Sequence, residues 1–403
     1  MLTEEIQELT DRYVMNTYDR LPLSIVRGQG CQVYDAEGRA YLDCVGGIAV
    51  NALGYGHPDL IASIKRQVHH LIHTSNLFYT EPQAKLAREL AQQSFADKVF
   101  FANSGAEANE AAIKLARKYS HQHFGPDRSE ILTMVNSFHG RTLATLSATG
   151  QTKVQLGFEP LVPGFKYVPF NDLQALEANI SENIAAIMLE PILGEGGVVV
   201  ADADYLKAVR NLCTARNILL IFDEIQTGMG RTGTLFAYQQ FGIQPDIMTL
   251  GKGLGGGIPI GACLATDEVA KVFTYGTHGS TFGGNPLACT AALQVLRILL
   301  EGGELKRSQE RGAYLQKKLF TLKENFPIIK EVRGRGLLQG LELTVDGKQI
   351  VMDCLARRVI INCTMGNVLR FIPPLIITQT EIDSLLTTLS DVLTKQALTK
   401  TYP

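Results

Sequence analysis

The fold is decided at residues 98–120, which read KVFFANSGAEANEAAIKLARKYS. Residues 98–102 are mostly apolar and rich in residue types that favour strands, so they predict a short β-strand. A turn of small residues follows at 103–105, and the alanine-rich stretch at 106–120 predicts a helix. The order strand, turn, helix is the repeating unit of a parallel sheet that is covered by helices.

The same pattern recurs from about residue 56 to residue 290. Several of the predicted strands in this part are β-branched and apolar throughout, as is typical of strands that are buried on both faces. The central part of the chain is therefore predicted to be α/β, with a mostly parallel sheet and helices on both sides. The further strands are predicted at 131–135, 185–189, 218–222, 246–250 and 262–265, and a helix at 205–216.

The two ends of the chain follow different patterns. We expect an N-terminal segment (1–55) that joins a small domain, a large ligand-binding domain (56–290), and a small α+β domain (291–403). The N-terminal elements are a helix at 3–18 and hairpin strands at 31–34 and 40–43. The C-terminal elements are helices at 286–300 and 305–326, strands at 337–343, 359–362 and 368–371, and a last helix after the capping box at 378–381.

Composition argues against several classes of protein. The chain has 403 residues and carries 38 Lys and Arg against 40 Asp and Glu, a balance unlike that of proteins that bind nucleic acid or a membrane surface. No apolar run approaches the ~20 residues of a membrane-spanning helix. The acidic residues Glu4, Glu5 and Glu8 argue against an export signal, and seven cysteines without a Cys-x-x-Cys pair fit a reducing compartment. We therefore expect a cytoplasmic protein.

Chemistry-bearing residues follow three of the predicted strands, where ligands of open α/β sheets bind. Residues 103–107 (NSGAE) form either an anion cradle at a helix N-terminus or an ordinary turn in which Ser104 caps the helix. Asp223 ends a buried strand, where an acid is costly unless it meets a cation. The alternatives are that it caps a helix or forms a structural ion pair. Lys252 lies in the run 251–257 (GKGLGGG), whose missing side chains leave room for a flat ligand. A desolvated lysine has the lowered pKa that Schiff-base chemistry needs, and the alternative is a structural glycine-rich loop.

Common ligand motifs are absent from the sequence. A dinucleotide fingerprint would need glycine where Ile260 stands, and a P-loop would need Ser or Thr where Gly253 stands. His70 and His73 could share a helix face but lack a third ligand, so no metal is expected. An anion cradle, an acid and a lysine together fit pyridoxal 5′-phosphate. A non-catalytic phosphate-ligand binder and a nucleotide-binding module remain as alternatives.

Several motifs carry a resemblance to a known family, and they run in order along nearly the whole chain. They are NSGAEANE at 103–110, FHGR at 138–141, EPILGEGG at 190–197, DEIQTGMGRTG at 223–233, GK at 251–252 and GSTFGGNP at 279–286. Together they resemble the class-III, fold-type-I aminotransferases. The resemblance implies a seven-stranded, mostly parallel sheet, pyridoxal phosphate as cofactor, and a homodimer with active sites at the subunit interface.

The resemblance also assigns a role to each matched position. The two catalytic residues would be Lys252, which bonds to the cofactor aldehyde, and Asp223, which keeps its ring nitrogen protonated. The other cofactor contacts would be Ser104, Gly105 and Ala106 at the phosphate, Thr281 at the phosphate of the neighbouring subunit, Phe138 stacked on the ring, Gln226 at the 3′-oxygen, and Glu224 and Ile225 beside Asp223. The substrate contacts would be Arg141, Glu190, Glu195, Ser280 and Arg370, with Glu195 paired to Arg370.

Within the class, the segments VGGIAVN at 45–51 and GHP at 56–58 are similar to the subgroup that acts on N2-acetyl-L-ornithine. This implies transfer of its terminal amino group to 2-oxoglutarate, a step of arginine biosynthesis. Succinylornithine, ornithine, 4-aminobutyrate and N-acylated lysine remain alternative donors. Two residues depart from the family pattern: Leu193 stands where Gln is usual, and Phe282 where Tyr is common. We further expect Glu195 to mask Arg370 while a terminal amine binds, and to swing away when an α-carboxylate arrives.

Overall fold

The computed structural model describes residues 1–401, with side chains through residue 396. The strands are β1 (Ile25–Gln29), β2 (Gln32–Asp35), β3 (Ala40–Asp43), β4 (Lys98–Ala102), β5 (Glu130–Met134), β6 (Phe165–Val168), β7 (Ile184–Leu189), β8 (Ile192–Leu193), β9 (Val199–Val200), β10 (Leu219–Asp223), β11 (Ile247–Leu250), β12 (Gly261–Ala265), β13 (Ile329–Arg335), β14 (Leu338–Leu343), β15 (Val359–Ile360), β16 (Asn362–Thr364) and β17 (Val368–Phe371). The α-helices are α1 (Thr3–Tyr13), α2 (Gly46–Ala49), α3 (Pro58–His70), α4 (Glu81–Gln92), α5 (Gly105–Phe124), α6 (Leu143–Ala148), α7 (Thr152–Gln155), α8 (Leu173–Ala178), α9 (Ala203–Arg216), α10 (Asp267–Ala270), α11 (Pro286–Leu300), α12 (Glu304–Asn325), α13 (Lys348–Ala356) and α14 (Gln379–Thr401). Short 3-10 helices lie at Ala237–Gln240 and Lys252–Leu254.

The central sheet has seven strands in the order β4-β12-β11-β10-β7-β5-β6. Only β12 runs against its neighbours, β11 and β4. Every residue of β7 is buried. Ile187 and Leu189 belong to one hydrophobic cluster, and Ala186 and Met188, which alternate with them, belong to another. Both faces of the sheet are therefore covered, as the uniformly apolar strands predicted. The predicted fold class, α/β with a mostly parallel seven-stranded sheet, is confirmed.

Smaller sheets lie outside the central one. The strands β13-β14-β17-β16 form an antiparallel sheet, and β1-β2-β3-β15 form a mixed one. In the mixed sheet, β15 pairs parallel with β3, so that strands from both ends of the chain meet. The boundaries of the three predicted segments, 1–55, 56–290 and 291–403, stay a prediction.

Some elements differ from the sequence expectations. The first helix ends at Tyr13 rather than at residue 18, because none of its residues is buried and no packing extends it. The edge strand β6 was missed, since Val168 is its one fully buried residue and the apolar pattern is weak. The strand β13 was also missed, and the strand predicted at 359–362 is divided into β15 and β16.

Within residues 1–401, no helix is both long and apolar enough to cross a membrane.

Candidate active site

The functional residues are gathered by the directions of the strands. The strands β4, β5, β7, β10 and β11 run the same way, because β12 is antiparallel to both of its neighbours. Their carboxyl ends therefore meet at one edge of the sheet, where ligands of such folds bind. The side chains at this edge are Asp223, the last residue of β10, and Ser104, Phe138, Glu190 and Lys252, which follow the other strands.

Asp223 is a deeply buried acid at this edge, with 3% of its surface exposed. Its Oδ2 accepts hydrogen bonds of 2.8 Å from Nδ2 of Asn109 and from Nδ1 of His139, and its Oδ1 accepts one of 3.0 Å from the amide of Ile225. Three donors favour the ionised carboxylate. Asp223 is therefore suited to pair with a protonated ring nitrogen. Sequence reasoning gave Asn109 and His139 no role; the available signal was a polar residue on the alanine-rich, buried face of α5.

The turn after β4 has the geometry of an anion cradle. Ser104 is the N-cap of α5, and its Oγ accepts from the amide of Glu107 at 3.2 Å. Gly105 and Ala106 open the helix, where backbone N–H groups lack intrahelical acceptors. A Cβ on Gly105 would lie 2.7 Å from Ile225 Cδ1, and one on Gly251 would lie 3.2 Å from the Gly105 Cα. The cap and the cradle are thus both present, and glycine is needed there for close approach.

Lys252 follows Gly251, which packs closely against Gly105 of the cradle. It has a positive φ of 42° directly after Gly251 and is only partly accessible to solvent. Burial lowers the pKa of its ammonium below the ordinary value, while the charges of Glu195, Asp223 and Glu190 act in the opposite direction. A lowered pKa increases the share of neutral amine, the form that attacks a carbonyl.

The glycines that follow Lys252 are closely packed. A Cβ on Gly255 would lie 1.9 Å from the carbonyl oxygen of Ile258, and Gly257 has a φ of 113°. A Cβ on Gly253 would lie 3.3 Å from Cβ of Met229, and one on Gly256 would lie 2.9 Å from Cγ2 of Val295, so the run packs against other elements as well as its own backbone. This packing supports the alternative of a structural glycine-rich loop, and room for a flat ligand stays a prediction.

A second group of residues surrounds the buried guanidinium of Arg370. Arg370, on β17, is 1% exposed, and its Nη1 donates to Oε1 of Glu195 at 2.6 Å and to Oε1 of Gln226 at 3.1 Å. Burial alone would raise the pKa of Glu195, but the charges of Arg370 and Lys252 outweigh burial and hold it below the ordinary value. A Cβ on Gly194 would come within 2.4 Å of Gln226, so glycine admits this side chain. The predicted pairing of Glu195 with Arg370 is thus present, and its role as a gate stays a prediction.

Two acids of the predicted site are engaged by backbone amides. Glu190 accepts from the amides of Phe138 at 3.0 Å and Gly194 at 3.2 Å. Glu224 accepts from the amides of Ala237 at 2.6 Å and Tyr238 at 2.7 Å. Burial raises the pKa of each carboxyl to about 7. Glu190 therefore joins two loops of the site, whereas the carboxylate of Glu224 binds the start of the 3-10 helix at Ala237–Gln240. The predicted contact of Glu224 with the cofactor stays a prediction.

The remaining predicted residues lie on exposed loops. The Arg141 guanidinium lies 5.5 Å from the centroid of the Phe138 ring. Oγ of Ser280 accepts from Nδ2 of Asn103 at 3.2 Å and from the amide of Gly283 at 2.9 Å. Thr281 is exposed, and through residue 396 no hydrogen bond joins its side chain to the rest of the site. The roles of these residues stay predictions.

The part of the chain that the structure describes contains no group of three or more His, Cys, Asp or Glu side chains that could hold a metal ion. The chemistry of the site is instead that of an anion cradle, a buried acid and an amine. These residues fit pyridoxal phosphate, because the cradle suits its phosphate, the buried acid suits its ring nitrogen and the amine suits its aldehyde.

Comparisons with known proteins agree with this chemistry. Residues 13–393 match the family described as aminotransferase class-III. The chain is 53% identical over 395 residues to an acetylornithine aminotransferase of Methanocaldococcus jannaschii, covering 98% of this chain and 99% of the relative.

Solved structures are similar as well. The ornithine aminotransferase from Toxoplasma gondii ME49 has a TM-score of 0.95 and 37% identity, over 98% of this chain and 96% of that one. A second structure of the Toxoplasma gondii enzyme, with a TM-score of 0.94, 37% identity and coverage of 98% and 94%, is described with partial occupancy of PLP at its active site. The chain therefore belongs to the class-III aminotransferases, and the family and the cofactor, pyridoxal 5′-phosphate, that the sequence motifs predicted are both confirmed.

Proposed function

We propose that this protein transfers the terminal amino group of N2-acetyl-L-ornithine to 2-oxoglutarate, giving N-acetyl-L-glutamate 5-semialdehyde and L-glutamate. The observation that carries the proposal is the 2.6 Å ion pair between buried Arg370 and Glu195, two residues whose charges also act on Lys252. Glutamate reacts beside its α-carboxylate, whereas the acetylated donor reacts at an amine far from its carboxylate. One pocket can serve both substrates if Arg370 is available to the first and masked for the second.

Bound pyridoxal phosphate supplies an aldehyde that condenses with amines and a ring that withdraws electrons from the reacting carbon. The chain supplies positions and protons. The N-terminus of α5, with Ser104, Gly105 and Ala106, holds the phosphate, and Asp223 keeps a proton on the ring nitrogen. Nζ of Lys252, when it is free and neutral, would accept the proton from the amine-bearing carbon of the substrate and would deliver it to the cofactor carbon that carries the exchanged nitrogen. Arg370 orients the α-carboxylate of glutamate or 2-oxoglutarate.

The choice of donor is supported by the degree of similarity to relatives. Identity is 53% to the acetylornithine aminotransferase and 37% to the structurally similar ornithine aminotransferase. Ornithine is therefore the second candidate. A donor panel with 2-oxoglutarate as acceptor tests the proposal: we expect the highest kcat/KM with N2-acetyl-L-ornithine. A higher kcat/KM with ornithine, succinylornithine, 4-aminobutyrate or an N-acylated lysine would overturn the choice.

The gate is tested by the variant Glu195→Gln. A neutral amide binds the guanidinium more weakly than a carboxylate, so Arg370 becomes available to carboxylates without movement of residue 195. We expect the ratio of kcat/KM for acetylornithine to that for glutamate to fall about tenfold, the size of one charge-assisted hydrogen bond.

Glu342→Gln is a matched control, because Glu342 is also paired with an arginine, Arg333, but on the antiparallel sheet. It should leave the ratio unchanged. An unchanged ratio in Glu195→Gln as well would remove the gate from the account.

We also propose a homodimer with the active sites at its interface. Leu77, Phe78 and Tyr79 form a strongly exposed apolar segment, and Tyr79 is fully exposed. The adjacent Asn76 donates to the carbonyl oxygens of Ser280 and Gly283, which connects this segment to the loop that carries Thr281. A second copy on this surface would explain both the apolar exposure and the absence of Thr281 from its own site. Sedimentation equilibrium should give twice the chain mass, and a monomer at active concentrations would contradict the proposal.

A cytoplasmic location is proposed from the seven cysteines, all of which are free and six of which are buried.

A further inference from the structure

Asp223 is anchored by a fully buried network of neutral side chains. Oγ1 of Thr249, on β11, donates a hydrogen bond of 2.7 Å to Oδ1 of Asn109, on α5. Nδ2 of Asn109 donates to Oδ2 of Asp223 at 2.8 Å and to the carbonyl oxygen of His139 at 2.7 Å. Asn109 and Thr249 are both inaccessible to solvent. The carboxamide of Asn109 therefore has a partner for each of its polar atoms.

Thr249 helps to fix which end of the amide meets the acid, together with the carbonyl oxygen of His139, which also accepts from Nδ2. Because its hydroxyl donates to Oδ1, the NH2 group of Asn109 is turned toward Asp223. The opposite orientation would place two oxygens against each other, the amide oxygen and the carboxylate, with no proton between them. The hydroxyl of Thr249 thus acts on Asp223 only through Asn109.

We propose that Asn109, oriented by Thr249, is a positioning residue that holds Asp223 ionised and in place to keep the ring nitrogen of pyridoxal phosphate protonated. The role rests on the proposed function, because only the bound cofactor gives Asp223 a ring nitrogen to protonate. A neutral donor stabilises the carboxylate without bringing a positive charge that would compete with the ring. The surrounding groups that act on Asp223 by charge or hydrogen bond are His139, Glu190, Glu224 and Lys252.

The chain offers a matched pair of substitutions for the test. Thr249→Val removes the hydroxyl that orients Asn109 and keeps the shape of the side chain. Thr133→Val makes the same change on β5 of the same sheet, where Thr133 is also fully buried but its hydroxyl has no hydrogen-bond partner among the side chains described through residue 396. Asn109→Ala removes the donor itself, and the double variant Asn109→Ala/Thr249→Val measures whether the two residues act as one unit.

The probe is pyridoxal phosphate labelled with 15N in its ring, bound to each holoprotein. The 15N resonance reports protonation of the ring nitrogen directly, and we follow it from about pH 6 to about pH 9. The wild-type protein and Thr133→Val are expected to keep the ring protonated across this range. In Thr249→Val and Asn109→Ala the ring should lose its proton at least about one pH unit earlier, with turnover about tenfold lower and KM less affected. The double variant should match Asn109→Ala.

The outcomes separate this role from the function on which it rests. If the variants Thr249→Val and Thr133→Val give the same ring titration, the network is only structural and the inference fails while the function stands. Thr249→Val could also shift the titration of the ring nitrogen while the double variant shows a larger shift than Asn109→Ala alone. In that case Thr249 does not act through Asn109, and the proposed orientation is wrong. If the wild-type protein does not bind the labelled cofactor, the proposed function itself fails. Should Asn109→Ala not fold, the comparison of the two valine variants still decides.

Discussion

Replacement of Lys252 by alanine is expected to lower turnover by about a thousandfold or more, because one amine both bonds to the cofactor and moves the proton. Cofactor should nevertheless remain bound, since the cradle at the N-terminus of α5 and the carboxylate of Asp223 do not depend on Lys252. Single-turnover kinetics and the visible spectrum of the purified variant measure both effects. Added small amines should restore part of the proton transfer.

Two further lysine variants make this result specific. Lys252→Arg keeps a positive charge but cannot lose its proton at neutral pH, so it should be as inactive as the alanine variant. Lys98→Ala removes an exposed lysine at the start of β4 and should retain full activity. Substantial turnover in either Lys252 variant would mean that another group moves the proton.

Replacement of Asp223 by asparagine is the second large effect. The change keeps the shape of the side chain but removes the charge, and its NH2 group would face donors of Asn109, His139 or Ile225. Loss of one partner from a buried charge pair costs about 3–5 kcal/mol, so turnover should fall by about two to four orders of magnitude. Affinity for pyridoxal phosphate should fall as well, measured by titration of the apoprotein.

Asp246→Asn is the matched control for this variant. Asp246 lies directly before β11, at the opposite edge of the sheet from Asp223, and is paired with Arg210 at 2.9 Å. It should change stability slightly and leave turnover near the wild-type value. A fall of the same size in both variants would show that Asp223 acts through folding alone.

The strands and the two central residues could be predicted because their signals are local. Uninterrupted apolar runs mark strands buried on both faces, and the charged residues that follow them, Asp223 and Lys252, must lie at the ligand-binding edge. Glu224 shows the limit of this reasoning. It is adjacent to Asp223 in sequence, yet its carboxylate binds the amides of Ala237 and Tyr238, and only the path of that distant turn determines this.

Other features depend on contacts that no single segment contains. Asn109 is one polar residue in an alanine-rich helix, and its partners come from three other parts of the chain: Asp223, Thr249 and the backbone of His139. The motif containing Thr281 could be recognised by resemblance. Because this residue is exposed in a single chain, its predicted contact depends on a second subunit. The close packing of the glycines after Lys252 could not be predicted for a related reason, because their neighbours come from other parts of the chain.

The central claim is that Lys252 is the residue that bonds to the cofactor. Borohydride reduction of the holoprotein fixes that bond, and digestion followed by mass spectrometry locates the pyridoxyl group. We expect the label on the peptide that contains Lys252 and on no other. A label on a different lysine, or none after reduction of a fully loaded protein, would contradict the account.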